Sequence, residues 1–271
     1  MIKAERWRDI LQILNGDGAV SVAEMARRFG LSTMTIRRDL IELQQQGLLA
    51  RTHGGAVLDA AMHGYARYES GTFEDRLKVQ AAQKRAIAER AAQLVSDGDS
   101  LLINAGSTMT VFAQALRQHR NLHVVTNGLT VALELRSNAS TEIFVLPGML
   151  DRKKMSTVLQ PDGRTFADLR PPSAFLGVVG VMPDAGPMMA DPVEAAMNRA
   201  FIEACDEITL LVDSSKFSAQ AVHRIVPMDQ IDRIITDDGI GDEDRDAIVA
   251  QGIDLIVVSA PLPAEEREAL S

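Results

Sequence analysis

The chain has 271 residues, 46% of them hydrophobic and 24% charged, enough apolar material for a domain of ordinary size plus a smaller one. A single cysteine, Cys205, excludes an internal disulfide framework; His63, His119, His123 and His223 are scattered without ligand spacing, so no metal or cofactor is expected. The charged start MIKAERWRDI is unlike a signal peptide and no apolar run reaches the roughly 18–20 residues of a membrane span, so the expectation is a cytoplasmic protein that does not enter membranes.

A formal net charge of -9 would ordinarily argue against nucleic acid, which selects for positive surfaces. The charge is unevenly spread, however. Residues 1–60 hold eight lysines and arginines against seven acidic side chains, so the acidic excess belongs wholly to the rest. Between Arg27 and His53, five arginines face only Asp39 and Glu42. An acidic body therefore carries a small basic head.

In the head, Trp7, Ile10, Leu11 and Leu14 recur at helical spacing before Asn15 and Gly16. Ser21 with Glu24 makes a capping box for a second helix, with Val22, Met25, Ala26 and Phe29 on its apolar face and an end at Gly30. After a turn of Gly30 and Leu31, Ser32 can cap a third helix whose Ile36, Leu40 and Leu43 face the core. This is helix-turn-helix spacing.

Steps of 100° from Ile36 put Met34 and Arg38 nearly opposite the core, with Thr35 and Arg37 on the flanks. With Ser32 and Thr33 at the helix start, these are the residues expected to enter a major groove, where arginine can bond guanine bidentately. The run Leu48–Thr52, the Gly54-Gly55 turn and Ala56–Leu58 suggest a wing, from which Arg51 and His53 would reach backbone phosphate or the minor groove.

The segment SVAEMARRFGLSTMTIRRDLIELQQQGLLARTHGGAV resembles the DeoR family of bacterial transcription regulators, and the resemblance implies a winged helix-turn-helix DNA-binding domain over residues 1–58.

Residues 59–72, DAAMHGYARYESGT, are small and polar and read as a linker to a body over 73–271. An alanine-rich helical segment is expected from Phe73 to Val95, with Leu77, Ala81, Ile87, Ala88, Ala91 and Leu94 as its buried positions. Short apolar runs then alternate with helical patterns: SLLIN before 107–118, LHVVT before 129–137, EIFVL before a loop and short helix, AFLGVVGV before 192–204, EITLLVD, RIITD before 242–251, and DLIVV. Alternation of this kind predicts an open α/β fold, Rossmann-like, with a largely parallel sheet.

Ligands in such sheets bind beyond the carboxyl ends of strands. Asn104, Ala105, Gly106, Ser107 and Thr108 follow the first strand and open a helix, a combination that suits a phosphate. Thr126, Asn127 and Gly128 follow the second strand. Asp213 and Lys216 follow a later one, the lysine bringing positive charge to the same edge. Glu194, three residues after Asp191 and two after Pro192, is explained by helix-start chemistry alone.

The segments FEDRL, KRAIAERAA, SDGDSLLINAGST, NLHVVTNG, AFLGVVGV and LLVDSSKF are similar to the DeoR-type effector domain. That resemblance implies a fold related to ribose-5-phosphate isomerase, a phosphorylated sugar or related metabolite as effector, and a repressor of a carbohydrate catabolic operon. It also implies double-stranded operator DNA as partner, and a homo-oligomer, dimer or tetramer, is expected because two heads read a symmetric site. Gly148 joins the effector set on the same basis. Asn104 stands where the family usually has Asp, Met149 where a second Gly follows Pro147-Gly148, and Val179 where an Asp is common. The rival reading is a sugar-phosphate isomerase with Asp213 as base; loss of carboxylates at Asn104 and Val179 favours sensing over catalysis.

Overall fold

The computed structural model describes residues 6–7, 9–10, 13–14, 19–45, 49–52, 54–57, 72–159, 161, 166, 169–217, 219 and 221–260. The chain forms two compact units, Met1–Gly71 and Thr72–Ser271. Among the described residues no helix is long and apolar enough to cross a membrane.

In the first unit the described residues between 6 and 14 are helical, and strand β1 (Ala19–Ser21) leads into helix α1 (Val22–Phe29). Helix α2 (Thr33–Gln45) follows, then β2 (Ala50–Thr52) and β3 (Gly55–Val57). Ser21 accepts a hydrogen bond from the Glu24 amide at 3.4 Å, and Gly30 ends α1 at φ +64°, a left-handed conformation that glycine adopts at little cost. Ile10, Leu14, Met25, Ile36, Leu40 and Leu43 close one core. The expected two-stranded wing has a third member, because β1 pairs antiparallel with β3 on the side away from β2. Gly55 makes this possible: a Cβ there would stand 2.0 Å from the Val20 carbonyl oxygen.

The second unit opens with α3 (Phe73–Lys78), capped by Thr72 and Asp75 in a reciprocal capping box, and α4 (Ala81–Ala92). The single helix expected over 73–95 is interrupted at Val79 and Gln80, with Gln80 at φ +52°. Next come β4 (Ser100–Ile103), α5 (Ser107–Ala115), β5 (His123–Thr126), α6 (Leu129–Leu135) and β6 (Glu142–Val145). A hairpin, β7 (Met149–Asp151) and β8 (Ser156–Val158), stands in the segment expected to hold a loop and short helix. The remainder is β9 (Ser173–Leu176), β10 (Gly180–Met182), β11 (Gly186–Met189), α7 (Pro192–Glu203), β12 (Glu207–Leu211), β13 (His223–Arg224), β14 (Arg233–Asp237), α8 (Asp242–Ala250) and β15 (Asp254–Val258).

Seven strands form one sheet in the order β15-β14-β12-β9-β4-β5-β6, with every pair parallel. The apolar run AFLGVVGV, expected as one strand, is divided. Its first half is β9 of this sheet and its second half is β10 of a small antiparallel sheet, β10-β11-β13. The chain proceeds from β4 through β5 to β6 in one direction and from β9 through β12 and β14 to β15 in the other. The reversal therefore lies between β4 and β9, which makes the carboxyl ends of those two strands the place where an open sheet parts to admit a ligand.

Candidate DNA-binding face and effector site

Helix α2 presents the residues expected to face a groove because its core face is fully committed. Ile36, Leu40 and Leu43 are 0% exposed, whereas Thr33, Arg37 and Arg38 are exposed and Met34 is 71% exposed. Ser32 caps the helix through the Thr35 amide at 3.1 Å, and its hydroxyl also meets the Thr35 hydroxyl at 2.9 Å, so both hydroxyls are engaged at the helix start. No acidic residue lies in the first turn, which leaves the positive end of the helix dipole open to a phosphate. Arg51 is exposed on the wing; His53 lies outside the described residues.

Asp39 lies next to the two arginines in sequence but turns inward. It is 2% exposed and accepts hydrogen bonds from Arg6 Nε at 2.6 Å, Arg6 Nη2 at 3.0 Å and Trp7 Nε1 at 2.9 Å. This buried, forked pair fixes the rotation of α2 against the N-terminal helical segment and keeps a carboxylate off the arginine face.

At the sheet's carboxyl edge, the Asn104 amide bridges the reversal. Its Nδ2 donates to the Gly177 carbonyl at 2.9 Å and to Asn198 Oδ1 at 2.7 Å, while its Oδ1 accepts from the Gly177 amide at 2.8 Å. Asn127 does the same for the neighbouring turn, accepting from the Ala105 amide at 2.9 Å and donating to the Thr157 carbonyl at 3.0 Å. Thr126 is 0% exposed, and its hydroxyl accepts from the Gly128 amide at 2.9 Å. These polar side chains hold the shape of the turns from within. Ala105, Gly106 and Ser107 are half-buried, Thr108 is 8% exposed, and α5 begins with no side-chain cap and no acidic residue in its first turn. Its leading amides thus have the arrangement that binds an anion.

Asp213 follows β12, two strand positions from β4 and so about 10 Å away at the usual strand spacing. It is 1% exposed, accepts from the Ser215 hydroxyl, and stands 3.8 Å from the ammonium of Lys84. Asp237 beside it accepts from the Ser214 amide at 2.7 Å and the Ser214 hydroxyl at 2.8 Å. Lys84 is itself 3% exposed and donates to the Val79 carbonyl. Burial pushes its pKa down to about 8, against the pull of Asp213 and with help from the half-buried Lys216. Lys84 was not among the residues expected in the site. Its signal was nonetheless present: Lys84, Ile87, Ala88 and Ala91 stand at i, i+3, i+4 and i+7, so the apolar register of α4 carries a lysine to its core face.

The β7-β8 hairpin sits against the same edge, through the Thr157 contact and a hydrogen bond from the Leu129 amide to the Met155 carbonyl at 2.9 Å. Gly148, expected among the effector contacts, is exposed at the hairpin's start, where a Cβ would lie 2.6 Å from the Val158 carbonyl oxygen. Glu194, read from sequence as helix-start chemistry, is 9% exposed and accepts from Lys154 Nζ at 2.7 Å, with its pKa raised chiefly by burial. Asp191 does cap α7, accepting from the amides of Val193 and Glu194. Among the described residues no cluster of histidine, cysteine and carboxylates could hold a metal.

Three expectations follow from these contacts. Asp39→Ala leaves Arg6 buried without its partner and lowers the stability of the first unit by about 3–5 kcal/mol, read as an earlier urea midpoint in the fluorescence of Trp7, the sole tryptophan. Asn104→Asp turns a carboxylate toward the Gly177 carbonyl and Asn198 Oδ1, both acceptors, and costs about 2–4 kcal/mol in the urea unfolding of the second unit at neutral pH. For Lys84, the folded-state pKa lies below that of the unfolded chain, so its burial opposes folding below about 8 and the opposition fades as pH rises toward 10.5. The stability of wild type relative to Lys84→Met therefore rises between pH 7 and 10, by up to ~3 kcal/mol.

Residues 6–61 match the DeoR-like helix-turn-helix domain and residues 79–238 the DeoR C terminal sensor domain. The HTH-type transcriptional repressor CsqR of Escherichia coli (strain K12) is 32% identical, over 86% of this chain and 87% of its own. The glycerol-3-phosphate regulon repressor of the same organism is 31% identical, over 88% of this chain and 92% of its own. Ribose 5 phosphate isomerase A from Neisseria gonorrhoeae aligns in structure over 51% of this chain and 53% of its own, with 15% identity and a TM-score of 0.38. With both matched domains in the order and at the places where the two units fold, the chain belongs to the DeoR family of transcription regulators, which are not enzymes.

Proposed function

We propose that this chain represses a carbohydrate catabolic operon by holding double-stranded operator DNA with its head, residues 1–58, and releases it when a phosphorylated sugar binds the body, residues 73–271, with 59–72 as the linker. The observation that carries the reading is the N-terminus of α5, without a side-chain cap or an acidic residue in its first turn, beside the point where the strand order of the sheet reverses.

Effector contacts in this reading come from the amides of Gly106, Ser107 and Thr108, the Ser107 hydroxyl and Lys216, while Lys84 is held inside by Asp213 and the Val79 carbonyl. Asn104, Asn127 and Thr126 act one layer back, since their polar atoms already bond to the protein. Two relatives are named as repressors, one of them of a glycerol-3-phosphate regulon, in keeping with a small phosphorylated effector. A dimer or tetramer in the cytoplasm, placing two heads on one symmetric site, fits this role. Coupling of about 1–3 kcal/mol between the sites would change operator affinity roughly 5 to 150-fold.

Thermal stabilisation of the purified protein across sugar phosphates and their unphosphorylated counterparts tests the effector class, because a ligand of the folded state raises its melting temperature. Stabilisation by the phosphorylated compounds alone is expected, and stabilisation by the free sugars alone would refute it. Arg38→Ala is expected to weaken operator binding by about 1–3 kcal/mol and relax its sequence preference, whereas Lys216→Ala keeps operator affinity and blunts release.

A further inference from the structure

The outward ridge of α2 is not uniformly polar. Helical steps from the core direction of Ile36, Leu40 and Leu43 turn Met34, Arg38 and Ile41 away from the core, with Arg37 to one side. Met34 is 71% exposed and Ile41 38%. A single exposed methionine is ordinary on a protein surface. Three features of this one set it apart. It lies in the first turn of the recognition helix, the part that enters the groove deepest. It shares a ridge with Arg38, one turn along. Two hydroxyls beside it, those of Ser32 and Thr35, bond to each other, and the Ser32 hydroxyl also accepts the capping bond from the Thr35 amide.

The first turn thus meets the base edges with a flexible apolar side chain, and the major groove offers one apolar group to receive it, the C5-methyl of thymine. Resting on the DNA-binding reading above, we propose that Met34 is a specificity-determining residue that packs against a thymine methyl within about two base pairs of the base read by Arg38. The spacing follows from the helix rise: four residues advance about 6 Å, and successive bases lie about 3.4 Å apart along a strand. An oxygen or amine at that base position leaves the Met34 side chain facing a polar edge, so the contact discriminates by loss of burial.

The test begins with selection of binding sites from a random DNA pool by the full-length wild-type chain. Each thymine of the selected site is then replaced singly by deoxyuridine, which removes only the methyl group. At one thymine of each half-site, wild type should lose about threefold to tenfold in affinity, the effect of exposing a methyl contact. Met34→Ala should lose a similar factor on the thymine DNA and nothing further on the deoxyuridine DNA, while Met34→Leu, still apolar, keeps the discrimination. Loss on demethylation that is the same in Met34→Ala as in wild type, or no demethylation effect at any position, overturns the proposal and leaves the DNA-binding reading intact. A wild-type protein that enriches no sequence from the pool overturns both.

Discussion

The carboxyl edge of the sheet depends on the side-chain amide of Asn104. Chain connections leave β4 and β9 in opposite directions, and their backbone ladder ends with the Asn104 amide on the Phe175 carbonyl at 3.4 Å, so beyond that point a side chain ties the two ends together. Asn104 supplies the tie, with two donated bonds and one accepted, and reaches through Asn198 to α7. A carboxylate of the same shape could accept from the Gly177 amide but would repel the other two partners. Asparagine at this position is thus explained by what it holds together. Asn127 repeats the device one strand over, joining the turn after β4 to the β7-β8 hairpin. Between them the two amides hold the turns from inside and leave the α5 amides aimed outward, a preorganised arrangement.

The head uses the same physical logic with charge. Three ionic residues run together as Arg37, Arg38 and Asp39, yet their environments differ completely. The arginines are exposed, and the aspartate is buried between Arg6 and Trp7. The helix register separates them, and the cost of burying Asp39 is offset by a forked guanidinium and an indole N–H. A buried ion pair therefore orients an exposed basic face that is free to meet phosphate and base.

Much of this was legible in the residues. The three helices of the head follow from 3.6-residue periodicity and cap chemistry, and the parallel sheet from its alternation with helical segments. What was missed depends on long-range partners. Strand β1 is three residues long, too short to show alternation, and exists because β3 is there to pair with it. The run AFLGVVGV is apolar throughout, and apolarity does not tell which of two sheets a residue joins. The β7-β8 hairpin carries exposed Met149 and Leu150, which mask the alternation of a strand, and the break at Gln80 is announced by neither glycine nor proline. In the site, the turns at the strand ends were readable from small and hydroxyl residues. The division of labour within them was not, because whether an asparagine faces ligand or protein depends on Gly177, Asn198 and Thr157, all distant in sequence. Lys84 was concealed by an expectation that core positions are apolar, although its own helix register places it inside.

In the proposed function, a basic helix face that meets phosphate and bases and a helix N-terminus at the strand edge that meets a small anion are the parts of a metabolite-controlled switch. The most direct measurement is operator affinity, at fixed salt, on DNA selected by the protein itself, while phosphorylated sugars and their unphosphorylated counterparts are titrated in turn. A phosphorylated sugar that lowers affinity at least fivefold, with its unphosphorylated counterpart inert, is the predicted result. Operator affinity that no phosphorylated sugar changes, or that responds only to the free sugars, would contradict it.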